Sequence, residues 1–255
     1  MKGQQIQECN KSMKLMKLTL TMTTALFVAI AAEAADTAPT NQVADAIAKL
    51  KAATNYSWTS TLKIADSDFN IGPVKGQAGR EGFAKMSQNF NDNTTEIVLK
   101  GGKVAYKGEE GWQLLGEGGG METFFAAEMA RNGAAAQEAE MTLKNVKEVK
   151  ALDGGALGGD FTSEGATDLM TFGPRRPAGE NGFPPPKNAK GSVKFWIKDG
   201  LLTKYETHLH GTVTFGENEN EMDQTRTVEI QDVGMTKIDI PAEAKKKLEA
   251  KAETK

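Results

Sequence analysis

The chain has 255 residues, with 31 basic and 34 acidic side chains, a formal net charge of −3 and a single cysteine. That length holds one large domain or two small ones, and basic residues scattered among acidic ones exclude the concentrated footprint of a nucleic-acid-binding surface. Cys9 stands alone, so no disulfide within the chain is available. At the N-terminus, Lys11, Lys14 and Lys17 precede the uncharged run Leu18 to Ala32, and Ala32 and Ala34 stand in a small-x-small arrangement. A positive segment, a short apolar run and small residues at a cut describe a secretory signal over residues 1–34, starting at Met1 or Met13. The apolar run of about 15 residues falls short of the ~20 that span a bilayer. Without the leader's four lysines and two glutamates, residues 35–255 carry 27 basic against 32 acidic side chains. This is expected to be a single exported domain, periplasmic or secreted.

Thr40 and Asn41 are candidate caps for a first helix, in which Val43, Ala46, Ile47, Leu50 and Ala53 recur at helical spacing. From Tyr56 the period changes to two, with Tyr56, Trp58, Leu62 and Ile64 on one parity and Ser57, Thr59, Thr61 and Lys63 on the other. The glycines at 72, 76, 79 and 82 predict short, bent strands. Gly101-Gly102 between β-rich runs predicts a two-residue hairpin turn, and a further turn at Glu109 to Gly111 leads to a strand with Trp112 and Leu114. A helical insertion follows, with Met121, Phe124, Phe125 and Met129 on one stripe interrupted by Glu128. Residues 136–150 read as a second helix, or as a helix leading into a strand. Prolines and glycines make 173–191 a surface loop, or an extended segment of polyproline type.

The stretch "GSVKFWIKDGLLTKYETHLHGTVTF", Gly191 to Phe215, alternates as a long hairpin around Lys198-Asp199-Gly200. Val193, Phe195 and Ile197 form its apolar face, continued by Leu201, Tyr205, Leu209, Val213 and Phe215. Lys204, Glu206, His208, His210, Thr212 and Thr214 form the wet face, and Gly211 is placed to relieve strain where the strand bends. A last strand carries Val228 and Ile230, and Pro241 opens a charged C-terminal helix expected to fray.

Two phrases, "GGKVAYKGEEGW" and "KFWIKDGLLTKYE", resemble the strand-turn-strand segments of the LolA/LppX-like family of envelope lipoprotein carriers and lipid-binding proteins. The element order is similar to that family's over most of residues 35–255. The Pro-rich loop and the Gly-rich insertion depart from its pattern. The resemblance implies an α+β fold: a curved antiparallel sheet, an incomplete barrel, with helices packed on its concave face. It also implies an apolar surface that takes acyl chains.

No nucleophile elbow, zinc-protease helix or phosphate loop is present, and no pair of carboxylates is marked by spacing as an acid–base couple. The expectation is therefore a non-enzyme without cofactor or metal. Glu206, His208 and His210 would share one face of a strand, as zinc ligands require. Alternate strand positions lie roughly 6.5–7 Å apart, however, and a solvated polar face is the simpler reading. The glycine-rich "GGALGGDF" and "GEGGGME" read as turns.

Trp58, Leu62, Phe83, Trp112, Phe124, Phe125, Met129, Phe195, Ile197, Tyr205 and Leu209 are the candidate apolar lining of a binding site. The same residues serve equally as core between sheet and helices, because burying a large apolar side chain stabilises by about 1.5–3 kcal/mol whichever neighbour covers it. Two functions follow. One is a binder or carrier of a lipid, a lipoprotein acyl chain or another hydrophobic ligand, in transient contact with membrane or envelope proteins. The other is a non-catalytic structural or interaction protein whose sheet is filled by its own helices.

Overall fold

Alternating apolar and polar residues build one antiparallel sheet from both halves of the chain. The computed structural model describes residues 38–67, 72–90, 93–117, 120–171 and 184–250, and residues 37–255 cluster as one unit. The expected leader, residues 1–34, and most of the Pro-rich stretch lie outside the described residues. The strands are β1 (Asn55–Ile64), β2 (Val74–Gly79), β3 (Phe83–Phe90), β4 (Asn93–Lys100), β5 (Lys103–Gly108), β6 (Gly111–Leu114), β7 (Lys150–Ala151), β8 (Leu157–Asp160), β9 (Lys187–Lys198), β10 (Leu201–Phe215) and β11 (Asn218–Gln231). They line up in the order β6-β5-β4-β3-β2-β1-β11-β10-β9-β8-β7. Two meanders thus meet where β1 pairs with β11, and β6 and β7 are left as open edges.

The helices are α1 (Pro39–Ala52), α2 (Met121–Arg131), α3 (Ala135–Lys144), α4 (Ser163–Met170) and α5 (Ala242–Glu249). Between them, α2 and α3 carry the chain from edge strand β6 to the opposite edge strand β7. One core unites α1 to α4 with residues from both meanders, so the sheet curves around them. The fold is α+β, with an 11-stranded antiparallel sheet that does not close into a barrel.

Side-chain alternation decides which face each residue serves. Tyr56, Trp58 and Ser60 are buried on β1 while their neighbours are not. A row of paired residues crosses the inner face: Ile230, Trp58, Gly76, Met86, Ile97 and Tyr106. Gly76 belongs there because a Cβ at this position would stand 2.1 Å from the Trp58 ring, which lies against the bare backbone. Gly101 and Gly102 have φ of 56° and 80°, the left-handed pair that a two-residue hairpin turn demands.

Several expectations are corrected. The first helix begins one residue before Thr40, at Pro39, whose fixed φ suits a first helical turn; Ala38 precedes it and no side chain caps it. Leu202 rather than Leu201 is buried, because the β9–β10 register slips between Leu202 and Lys204 and the inward parity changes there. A second slip flanks Gly211, opposite Asn188 with its φ of 53°. Lys187 to Gly191 are strand, so the expected loop ends sooner. "GGALGGDF" is a turn only at Asp153–Gly155, and Leu157–Asp160 pairs with β9.

The C-terminal helix is docked over Ala242–Glu249, while residues 251–255 of the expected helix lie outside the described residues. Its Ala244 and Leu248 are buried against Phe83, Val98, Ala105 and Trp112. These sheet residues alternate with Ala84, Ile97 and Tyr106 of the inner core, so α5 covers the outer face. Among the described residues, helices therefore pack on both faces, four inside and one outside.

Candidate functional site

The inner face is filled at one end and open at the other. At the β9–β11 end, Val193, Phe195, Leu202, Tyr205 and Val228 are at most 1 % exposed, beneath α1, α3 and α4. Phe195 and Tyr205 pack ring against ring at 6.2 Å. Trp58, Met129 and Leu209 belong to the same continuous core. Space remains at the other end, where the chain turns between β2 and β3 and between β4 and β5.

A cleft of about 390 Å³ opens there. The end of β2, the start of β3, the end of β4 and the start of β5 give Ala78, Ala84, Leu99 and Val104; the end of α1 gives Ala52 and Ala53; the α2–α3 connection gives Ala130, Ala134 and Ala136. Seven of these nine wall residues are alanine. A methyl group covers the backbone but does not reach across a gap between elements, so the space stays open. Lys51, Arg80, Lys100, Lys103 and Arg131 also border the cleft, and none of its described lining residues is a carboxylate. A second hollow lies beyond the β2–β3 turn, where Arg80 and Phe83 border both spaces.

A polar seam separates the filled end from the cleft. The Tyr205 hydroxyl donates to the Ala135 carbonyl at 3.3 Å, and the Ala136 N–H donates to the Tyr56 hydroxyl at 3.2 Å. Buried Glu138, in the first turn of α3, pairs with Arg226 of β11 at 3.1 Å. These contacts fix the start of α3 on the sheet, and the ion pair sets opposite charges side by side at the buried Glu138. Burial pushes the Tyr56 phenol up to about 12, against the smaller opposing effect of the Ala136 N–H, so it remains a neutral part of the wall. Burial likewise raises Tyr205, and the nearby Glu138 carboxylate adds to this.

Of the eleven expected lining residues, Phe83 alone borders this cleft. Trp58, Met129, Phe195, Tyr205 and Leu209 are buried in the main core. Ile197 is half-buried against that core, and Leu62 is half-buried opposite Arg226. Phe83 and Trp112 project to the outer face under α5. Phe124 and Phe125 are half-buried on α2, with ring centroids 5.9 Å apart. Apart from Tyr56, Phe83 and Leu99, the cleft's apolar walls are small residues from separate stretches, which carry no sequence signal.

The histidine strand lies on the outer face. His208 Nε2 is 2.8 Å from Asp223 Oδ1 across the β10–β11 pair, and the Thr227 hydroxyl donates to Glu206 at 3.3 Å. Among the described residues no group of three His, Cys, Asp or Glu side chains could hold a metal ion. No helix among them is long and apolar enough to cross a membrane.

No protein-family model and no curated protein matches the chain. Among solved structures, the lipoprotein LppX of Mycobacterium tuberculosis is similar at 12 % identity and a TM-score of 0.43, over 78 % of this chain and 97 % of that one. LprF from Mycobacterium bovis is similar at 12 % identity and a TM-score of 0.40, over 80 % of this chain and 95 % of that one.

Proposed function

We propose that this protein is an exported, non-catalytic binder of a hydrophobic ligand, a lipid or a lipoprotein acyl chain, which it holds in the cleft between the β2–β5 ends and the α2–α3 connection. One observation carries the reading: an open space of about 390 Å³ with apolar walls, on a sheet face that is otherwise filled. The volume falls within the roughly 300–1,000 Å³ of small-molecule sites, which bind through apolar walls and few polar groups. Each methylene taken from water into such a cleft contributes about 0.8 kcal/mol. The leader pattern of residues 1–34 supports export, and mass spectrometry of the protein from its native host tests it: cleavage after Ala34 or close by is expected, and an intact Met1 or Met13 contradicts it.

The binding test is titration with the neutral fluorophore N-phenyl-1-naphthylamine, beside native mass spectrometry of the purified protein. Saturable fluorescence enhancement is expected, and Ala53→Trp abolishes it by filling the cleft. Ala53 has φ −60° and ψ 148°, a conformation open to any residue, so the larger side chain enters without backbone strain. Enhancement that persists in Ala53→Trp places the ligand elsewhere. No enhancement and no co-purifying lipid favour the second reading, an envelope structural or interaction protein, which the solid β9–β11 end supports.

A further inference from the structure

We infer that the cleft selects a single-chain amphiphile with an anionic head, a carboxylate or phosphate monoester, which Arg80 and Lys103 hold at the rim while the chain lies on the alanine walls. This rests on the binding reading above and names the ligand class. The charged residues among the cleft's described lining are all cations, and their partners distinguish them. Lys51 is held by Glu140 at 2.5 Å, and Lys100 by Glu249 at 2.7 Å. Arg131 donates to the Asp168 carbonyl. Lys103 reaches only a backbone carbonyl, that of Ala250, at 2.7 Å, and Arg80 has no hydrogen-bond or ion-pair partner among the described residues.

Two cations without a carboxylate partner among the described residues thus border an apolar space whose described lining contains no negative charge. An uncharged lipid would leave both unpaired beside its head, whereas an anion gains charge-assisted hydrogen bonds from them. Arg80 offers a planar fork suited to two oxygens of a carboxylate or phosphate, and Lys103 a compact point charge. The volume limits the tail. At about 390 Å³ the cleft is near the lower end of ligand sites, which fits one short chain better than a two-chain lipid.

The test displaces bound N-phenyl-1-naphthylamine with dodecanoate, dodecyl phosphate and the uncharged dodecanol, using the purified protein and its Arg80→Gln/Lys103→Gln variant. In the native protein both anions are expected to compete about tenfold more strongly than dodecanol, the size of one or two charge-assisted contacts at an exposed rim. In the double variant that preference falls to about one, and in the native protein it shrinks as salt rises. Equal competition by dodecanol and dodecanoate in the native protein overturns the head-group assignment and leaves the apolar cleft standing. Failure of all three to compete removes the binding reading itself. Calorimetry with inorganic phosphate separates an amphiphile site from a free-anion site: binding as tight as that of dodecyl phosphate overturns the proposal, and binding at least tenfold weaker supports it.

Discussion

The two ends of the inner sheet face use the same alternation and reach opposite results. At the β9–β11 end, large side chains on long strands interdigitate: Phe195, Leu202 and Tyr205 are fully buried beneath the helices. At the β2–β5 end, alanines stand where helix ends and hairpin turns meet, and a cleft remains. Period two sets which side a residue faces, but side-chain volume sets whether the space behind it is filled. A protein can therefore hold a rigid core and a ligand site on one surface, separated here by the Tyr205–Ala135, Tyr56–Ala136 and Glu138–Arg226 contacts.

The largest expected difference between the two ends comes from the same leucine truncation at each. Leu202→Ala removes a side chain with no exposed surface and is expected to cost about 2–5 kcal/mol, since the cavity cannot collapse. Leu99→Ala removes a half-buried side chain already facing open space and is expected to cost about 1 kcal/mol. Denaturant melts of the two variants measure the difference, and equal losses would mean that the cleft end is packed as tightly as the other. Gly76→Ala probes the middle of the sheet. The added Cβ meets the Trp58 ring at 2.1 Å, so overpacking is expected to destabilise by about 1–3 kcal/mol and to shift the tryptophan emission.

A smaller effect concerns acid. Lys51 and Lys144 hold the Glu140 carboxyl below the usual carboxylate range, chiefly by hydrogen bonding, and Lys100 does the same for Glu249. A lowered folded pKa stabilises above the unfolded value and is lost as pH falls through the folded one. Melting temperature should therefore decline below the ordinary glutamate range, roughly pH 4. Both carboxylates are exposed, so the decline is shallow, and Glu140→Gln/Glu249→Gln is expected to flatten it. An unchanged slope in that variant would show that neither pair couples to folding.

Much of the fold was legible because strands announce themselves by period. Tyr56, Trp58, Val193, Phe195, Val228 and Ile230 face inward as their spacing predicts, and Gly101-Gly102 makes its turn. The shift from Leu201 to Leu202 was not legible, because a bulge flips parity without changing composition. Nor was the docking of α5, whose Ala244 and Leu248 are two small signals in a charged segment. The cleft was hidden for a deeper reason. Large apolar residues draw attention in a sequence, yet they are the ones that fill space, so most of the expected lining is core. The open site is made of what is too short to fill it, gathered from α1, α2, α3 and two hairpins.

Backbone amide mapping during a dodecanoate titration tests the two-ended inner face most directly. Shifts are expected at Ala53, Ala78, Ala84, Leu99, Val104 and Ala134, with Val193, Phe195, Leu202 and Tyr205 unmoved. Shifts centred on the β9–β11 residues, with the alanine walls silent, would contradict it.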